Sequence, residues 1–177
     1  WGVDNVIDIG ANLGFFSLAA RHAFPKATIH SYEPNKALEK YLKPHAEQAL
    51  FKVHYEAVGL EDDRVKLDFR GETNQTRSQR DTSGEIMQVA FRQAVERIGN
   101  RVDFLKIDCE GNEWEILQER EAWQKVRFLA MEYHLWANGK DHTDARKAVE
   151  AIGFKVTGQH PIDDYGLIYA SNKNWPP

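Results

Sequence analysis

The feature that most constrains this chain is a glycine-bearing bend between a short apolar strand and an amphipathic helix. Asn5–Ile9 (NVIDI) has the continuous apolar character of a buried strand. It runs through Asp8-Ile9-Gly10-Ala11-Asn12-Leu13-Gly14 into a helical pattern over residues 13–24, which stops at Pro25. Glycines at such a junction allow a tight turn and close approach of a ligand to the backbone, and the helix that follows presents free N–H groups. Glu33 ends the next strand, 23 positions after Gly10. That is close to the interval of about 20 residues at which a carboxylate meets a ribose. The pair reads as a nucleoside site; the plain alternative is two turn glycines and a solvated strand end.

The rest of the chain repeats this alternation of strand and helix, the pattern of βαβ units around a parallel sheet. Strands are expected at residues 27–33, 51–58, 64–69, 85–91, 102–108, 126–133, 154–158 and 165–170. A second helix near Pro34 carries the apolar face Leu38, Tyr41, Leu42, Ala46 and Ala49. Further helices are expected before Gly99, over residues 113–120, and from a Thr143 cap to Ile152 with Gly153 as its stop. Residues 71–84 are polar, lack periodicity and read as the longest loop. Phe15, Phe16, Tyr41, Phe51 and Phe128 read first as core aromatics.

The 177 residues suit one domain, spanning 1–177, and 42% hydrophobic content suffices for its core. A net charge of -4 argues against a dedicated nucleic-acid binder, with Arg77, Arg80, Arg92 and Arg97 left as a local basic patch. The single cysteine, Cys109, can form no internal disulfide and no zinc cluster, which points to a reducing, cytoplasmic setting. No apolar run approaches the roughly 20 residues of a membrane span, and no signal peptide is evident. Because a strand follows within a few residues of Trp1, truncation at the N-terminus is expected.

The bend itself narrows the nucleoside. A dinucleotide fingerprint wants glycine where Asn12 and Phe15 stand. The spacing Asp8-x-Gly10-x-x-x-Gly14 matches instead the first motif of class I methyltransferases, whose donor has no phosphate to cradle and carries a cationic sulfonium beside which Asp8 is acceptable. A second signal is residues 103–113, DFLKIDCEGNE. Lys106 lies inside an apolar strand, where an unpaired ammonium is costly, and Asp108 is its obvious partner. Asp108 and Glu110 fall at the carboxyl end of that strand, where open α/β sheets bind ligands.

Residues 6–14 (VIDIGANLG), 32–35 (YEPN) and 104–113 (FLKIDCEGNE) together resemble the successive motifs of the FkbM-type methyltransferase family, in order and spacing across most of the chain. The resemblance implies a class I, Rossmann-like α/β fold: a doubly wound, mostly parallel seven-stranded sheet with an antiparallel last strand. It also implies S-adenosylmethionine as donor and O-methylation of a sugar or natural-product hydroxyl; the charge balance and the lack of a long apolar run, not the resemblance, argue against nucleic-acid and membrane partners. By this resemblance Gly10, Ala11, Asn12 and Gly14 lie under the donor's amino-acid end, with Asp8 and Phe15 counted at the loop's borders. Glu33 holds the ribose, Pro34 and Asn35 sit beside the adenine, Ala57 and Val58 flank it from the other side, and Asp108 faces the methionine portion or the reacting centre. Lys36 and the stretch 88–97 depart from the family pattern, on the acceptor side.

A hydroxyl acceptor gains from a general base at the carboxyl end of a central strand. The candidates are Asp108, Glu110 and His134, the last having the ordinary pKa of a base near neutrality, with Glu132 on the same side of its strand. Asp108, Glu132 and His134 have the chemistry to gather a divalent metal, but three scattered ligands define no site and none is assigned. Trp136 falls after a strand end, where it would wall an acceptor pocket or lie on a plain surface. An NAD-dependent oxidoreductase and a non-catalytic nucleoside-binding module are the competing readings.

Overall fold

The computed structural model describes residues 2–69, 76–81, 83–136 and 139–175. Along the chain run β1 (Asn5–Ile9), α1 (Phe15–Ala23), β2 (Thr28–Tyr32), a 3-10 turn (Lys36–Leu38), α2 (Glu39–Ala49), β3 (Lys52–His54), β4 (Ala57–Gly59), β5 (Asp63–Phe69), β6 (Thr76–Arg80), β7 (Ile86–Ala90) and α3 (Phe91–Arg97). There follow β8 (Val102–Ile107), α4 (Glu113–Ile116), a second 3-10 turn (Ala122–Lys125), β9 (Val126–His134), α5 (His142–Ala151), β10 (Phe154–Ile162) and β11 (Tyr165–Asn172).

Seven strands form the main sheet in the order β10-β11-β9-β8-β1-β2-β3. The run from β3 through β9 is parallel, and β11 is antiparallel to both its neighbours. The order reverses between β1 and β8, so their carboxyl ends open a crevice at the topological switch point. Alternation along β1 assigns the two faces. Val6 packs with Ala20 of α1 and Leu42 of α2, while Ile7 and Ile9 join a larger cluster with Phe91, Val95 and Val149 from α3 and α5. Helices thus cover both faces, as the doubly wound expectation requires.

Two local expectations are corrected. The third strand, expected over residues 51–58, is two strands: β3 pairs with β2 in the main sheet, and β4 pairs with β7 in a separate four-stranded sheet, β4-β7-β5-β6. The expected loop over 71–84 contains β6, which pairs antiparallel with β5; residues 71–75 and 82 lie outside the described residues. Helix ends also differ. The helix expected over 113–120 is the single turn α4, and α5 is capped by Asp141 through a reciprocal box with Asp144, not by Thr143. Phe15 and Tyr41 are not core: they are 65% and 51% exposed on the outer faces of their helices.

The bend after β1 is tight for a reason that lies elsewhere in the chain. Gly10 has φ 76°, and a Cβ there would fall 1.7 Å from the carbonyl oxygen of Asp108. Gly14 has φ 84° and caps α1, where a Cβ would meet Leu42 at 2.7 Å. One glycine lets the ends of β1 and β8 touch, and the other lets α1 lie against α2. At the edge of the sheet, His54 stacks on Tyr32 with ring centroids 4.5 Å apart and meets His30 at 3.4 Å. Burial, with help from His30 and Lys52, holds the His54 ring down at about pKa 4.

Two predictions follow from this packing. Gly10→Ala adds left-handed strain and a backbone overlap, so it should lower the unfolding free energy in urea by about 2–5 kcal/mol. An unfolded chain protonates His54 near its ordinary 6.5, whereas the folded chain resists until about 4. The contribution of His54 to stability should therefore be full above pH 6.5 and be lost as the pH drops toward 4. His54→Phe, which keeps the stack on Tyr32, should flatten that part of the pH profile of the urea midpoint.

Candidate active site

A cleft of about 610 Å³, counting the space open to solvent at its mouth, lies over the carboxyl ends of β1, β2 and β8. Its walls are Ile9, Gly10 and Asn12 from the bend, Tyr32, Glu33, Pro34 and Leu38 from the end of β2, Glu56, Ala57 and Val58 from β4, and Asp108, Cys109, Glu110 and Asn112 after β8. No lysine or arginine is among these lining residues, while four carboxylates are.

Glu33 is the most constrained of them. It is only 6% exposed, yet each carboxylate oxygen accepts a backbone N–H at 2.8 Å, Oε2 from Asn12 and Oε1 from Asn35. Burial pushes its pKa up, and the two amides pull against that shift. A carboxylate has about four acceptor positions. Two are used by the backbone, so two remain for donors in the cleft. Asn35 positions this arrangement from behind: its amide holds Glu33 and its side chain caps the following turn at Ala37.

The remaining loop residues divide. Gly10 and Asn12 reach the cleft; Ala11 is buried, and the N–H groups of Gly10 and Ala11 both donate to Tyr32 O at 3.0 Å. Asp8, expected at the rim, is wholly buried beneath the bend. Its Oδ2 accepts from Ser17 at 2.7 Å and its Oδ1 lies 3.2 Å from Lys106 Nζ. Gly14 serves helix packing, and Phe15 faces outward near His45, so neither lines the cleft.

Lys106 is held differently from expectation. Asp8 sits opposite it in the β1–β8 register at 3.2 Å, whereas Asp108 is farther, at 3.8 Å. Its ammonium also donates to Ile9 O at 3.2 Å and Gly10 O at 2.6 Å. Burial would discharge this lysine, but Asp8 and Asp108 outweigh that and hold its pKa above the ordinary range. Lys106 is thus a buried strut under the bend.

On the other side of Asp108, β9 delivers Glu132 and His134. His134 is 6% exposed. Its Nδ1 lies 3.1 Å from Glu113 Oε1, and its Nε2 lies 3.5 Å from both Glu110 and Glu132. Glu113, fully buried, also accepts the N–H groups of Cys109 and Gly111, so one carboxylate shapes the β8–α4 turn and grips the imidazole. Burial favours the neutral ring, but Glu113 and Glu132 overcome it and raise its pKa to about 10. The expectation of a base titrating near neutrality is corrected: the glutamates around the ring favour its charged form. Glu110 is pushed up to about 7, chiefly by burial. Trp136 is 36% exposed and packs edge-on to His134, with Tyr165 stacked on the ring's other neighbourhood at 6.3 Å.

The expected residues Gly10, Asn12, Glu33, Pro34, Ala57, Val58, Asp108 and Glu110 therefore share one cleft, with His134 behind its acidic end. Tyr32, Leu38, Glu56, Asn112 and the gripping Glu113 were not anticipated. Only Glu113 had a signal, as the third acid in DCEGNE at the start of a helix.

Residues 8–156 match the methyltransferase FkbM domain. The chain is 26% identical over 187 residues to Methyltransferase 1 of Beauveria bassiana (strain ARSEF 2860), covering 88% of this chain and 74% of that protein. Among solved structures it resembles methyltransferase FkbM from Methylobacillus flagellatus KT, with TM-score 0.64 and 18% identity, over 94% of this chain. The chain spans 43% of that structure's length. M. capricolum TrmK in complex with S-adenosylhomocysteine shares the fold at TM-score 0.58 and 10% identity, over 97% of this chain and 62% of that one.

The strut is open to test. Lys106→Met leaves Asp8 charged and buried without its partner, and should cost about 3–5 kcal/mol in urea unfolding. Adding Asp8→Asn should restore a large part of that loss, a coupling read from the double-mutant cycle.

Proposed function

The chain belongs to the FkbM methyltransferase family, whose methyl donor is S-adenosylmethionine, and from that premise we propose that it methylates a hydroxyl of a sugar or natural-product small molecule. The observation that carries the cofactor half is Glu33, immobilised by two backbone amides with acceptor positions left toward the cleft. A ribose diol supplies two donors of matching kind. The cleft's walls suit the rest of such a donor: carboxylates tolerate a sulfonium and an ammonium, and no lysine or arginine lines them for a pyrophosphate. That composition speaks against the oxidoreductase reading.

In this reading Gly10 and Asn12 border the amino-acid end, and Pro34, Leu38, Ala57 and Val58 flank the base. When bound, the donor supplies an electrophilic methyl group, which the acceptor oxygen takes as the carbon–sulfur bond breaks and its electron pair passes to sulfur. The chain's own work is alignment and the exclusion of water. Asp108 and Glu110, on the wall nearest β9, face the acceptor. Glu110 takes the hydroxyl proton, and His134 keeps the crowded carboxylates together. A net charge of -4 favours a small acceptor over a nucleic acid. The fold alone leaves that choice open, since the Methanococcus jannaschii fibrillarin pre-rRNA processing protein shares it at TM-score 0.63 and 14% identity.

Calorimetry with S-adenosylhomocysteine should show binding to the wild-type chain and at least about tenfold weaker binding to Glu33→Ala, equivalent to ~1.4 kcal/mol. Equal affinities would remove Glu33 from the ribose. Transfer of labelled methyl to a panel of hydroxyl-bearing sugars and phenols tests the reaction; intact donor binding with no transfer to any of them would point to a binding module.

A further inference from the structure

Asp108 and Glu110 each place a carboxylate oxygen, and His134 a ring nitrogen, within 4.8 Å of one another. We propose that these three side chains form a divalent-cation site at the acidic end of the cleft, suited to a Mn²⁺-like ion. The inference rests on the methyl-transfer reading for its purpose but not for its geometry.

Acidic clusters are common on protein surfaces, and the argument stands on the imidazole. His134 is buried, and its Nδ1 is taken by Glu113 at 3.1 Å. A carboxylate bonded to one ring nitrogen is the usual way a metal-ligating histidine is oriented, because it fixes the tautomer and turns the other nitrogen to the ion. Here the other nitrogen, Nε2, points to the carboxylates of Glu110 and Glu132 at 3.5 Å each. Such separations are long for hydrogen bonds. The Glu110 separation, with all three ligand atoms inside 4.8 Å, is short enough for the set to close on one ion with bonds of about 2.1 Å. Glu113 itself is anchored by the N–H groups of Cys109 and Gly111, so the grip on His134 is rigid.

The donor set decides the ion. Two carboxylates and one imidazole suit a divalent ion that accepts both oxygen and nitrogen, such as Mn²⁺. Lys106 lies 3.8 Å from Asp108 Oδ2 but is already engaged by Asp8, Ile9 and Gly10. Three protein ligands leave positions open, and Asp108 and Glu110 line the cleft, so the open positions face it. An acceptor hydroxyl bound there becomes more acidic. Its proton passes to the Glu110 oxygen that does not hold the ion, and its oxygen then takes the methyl group as described above.

The test uses MnCl₂ and the intact chain. Loss of the free Mn²⁺ resonance signal should report one ion per chain, and the bound ion should show nitrogen coupling from an imidazole. Glu110→Gln should weaken binding at least tenfold, and His134→Gln should abolish the nitrogen coupling; circular dichroism checks that both are folded. If His134→Gln fails to fold, nitrogen coupling in the wild type and the Glu110→Gln loss still decide the matter. No bound ion, binding unchanged by Glu110→Gln, or a bound ion without nitrogen coupling overturns the site. S-adenosylhomocysteine calorimetry without metal reads the donor half separately, so failure of the ion site leaves that reading intact, and failure of donor binding leaves the metal result standing.

Discussion

Everything at the crevice depends on the ends of β1 and β8 meeting with no room between them for a single methyl group. Gly10 lies against the carbonyl of Asp108, and the Asp108 N–H donates to Ile9 O at 3.0 Å. Lys106 reaches under this contact to Ile9 O and Gly10 O while paired with Asp8 on the neighbouring strand. The contact sets the angle at which the bend leaves the sheet, and so where Asn12 stands to meet Glu33. A charged pair in the interior is poor evidence for stability in itself, because desolvation offsets much of its attraction. Its value here is positional: it fastens the Gly10 carbonyl and adds a second donor to Ile9 O, which already accepts the Asp108 N–H.

From that point the charges segregate. Beneath the bend, Asp8 is matched by Lys106 and Ser17 and is closed to solvent. In the cleft, Glu33 is matched by backbone amides alone. Toward β9, Asp108, Glu110 and Glu132 crowd around His134, and mutual repulsion and burial push Asp108 and Glu110 above the ordinary carboxylate range. The cleft wall carries carboxylates and no lysine or arginine, which admits a cationic ligand and discourages a phosphate-bearing one.

The parts legible in the sequence are those whose cause is local. The strand, bend and helix of residues 5–24 are recorded in neighbouring residues, and Glu33 follows at a readable interval. The alternation of strand and helix sufficed for the doubly wound sheet. What was hidden depends on register and distant packing. Asp8 looked like a rim residue until the β1–β8 register placed it opposite Lys106. The run through 51–58 reads as one strand, although the chain leaves one sheet and enters another at Tyr55 and Glu56, because sheet membership is set by distant partners and not by local pattern. Phe15 carried the residue type of a core position, but its place on α1 turns it to solvent. The histidine's charge was the largest misreading, since an unperturbed pKa says nothing of Glu110 and Glu113, brought from the β8–α4 turn to join Glu132.

The two halves of the crevice solve the same problem, a carboxylate taken out of water, by different means, and the difference bears on what each half can do. Glu33 is satisfied by amides of the main chain, which cannot move without unfolding the bend, so its half of the crevice is a fixed template. Glu110 and Glu132 face one imidazole, itself held by Glu113, and the groups that meet there are side chains from β9 and the β8–α4 turn. Side chains can exchange a proton, an ion or a hydroxyl among themselves at small cost to the fold, and backbone amides cannot. Chemistry that handles a proton belongs on the second half, and recognition of an unchanging group belongs on the first.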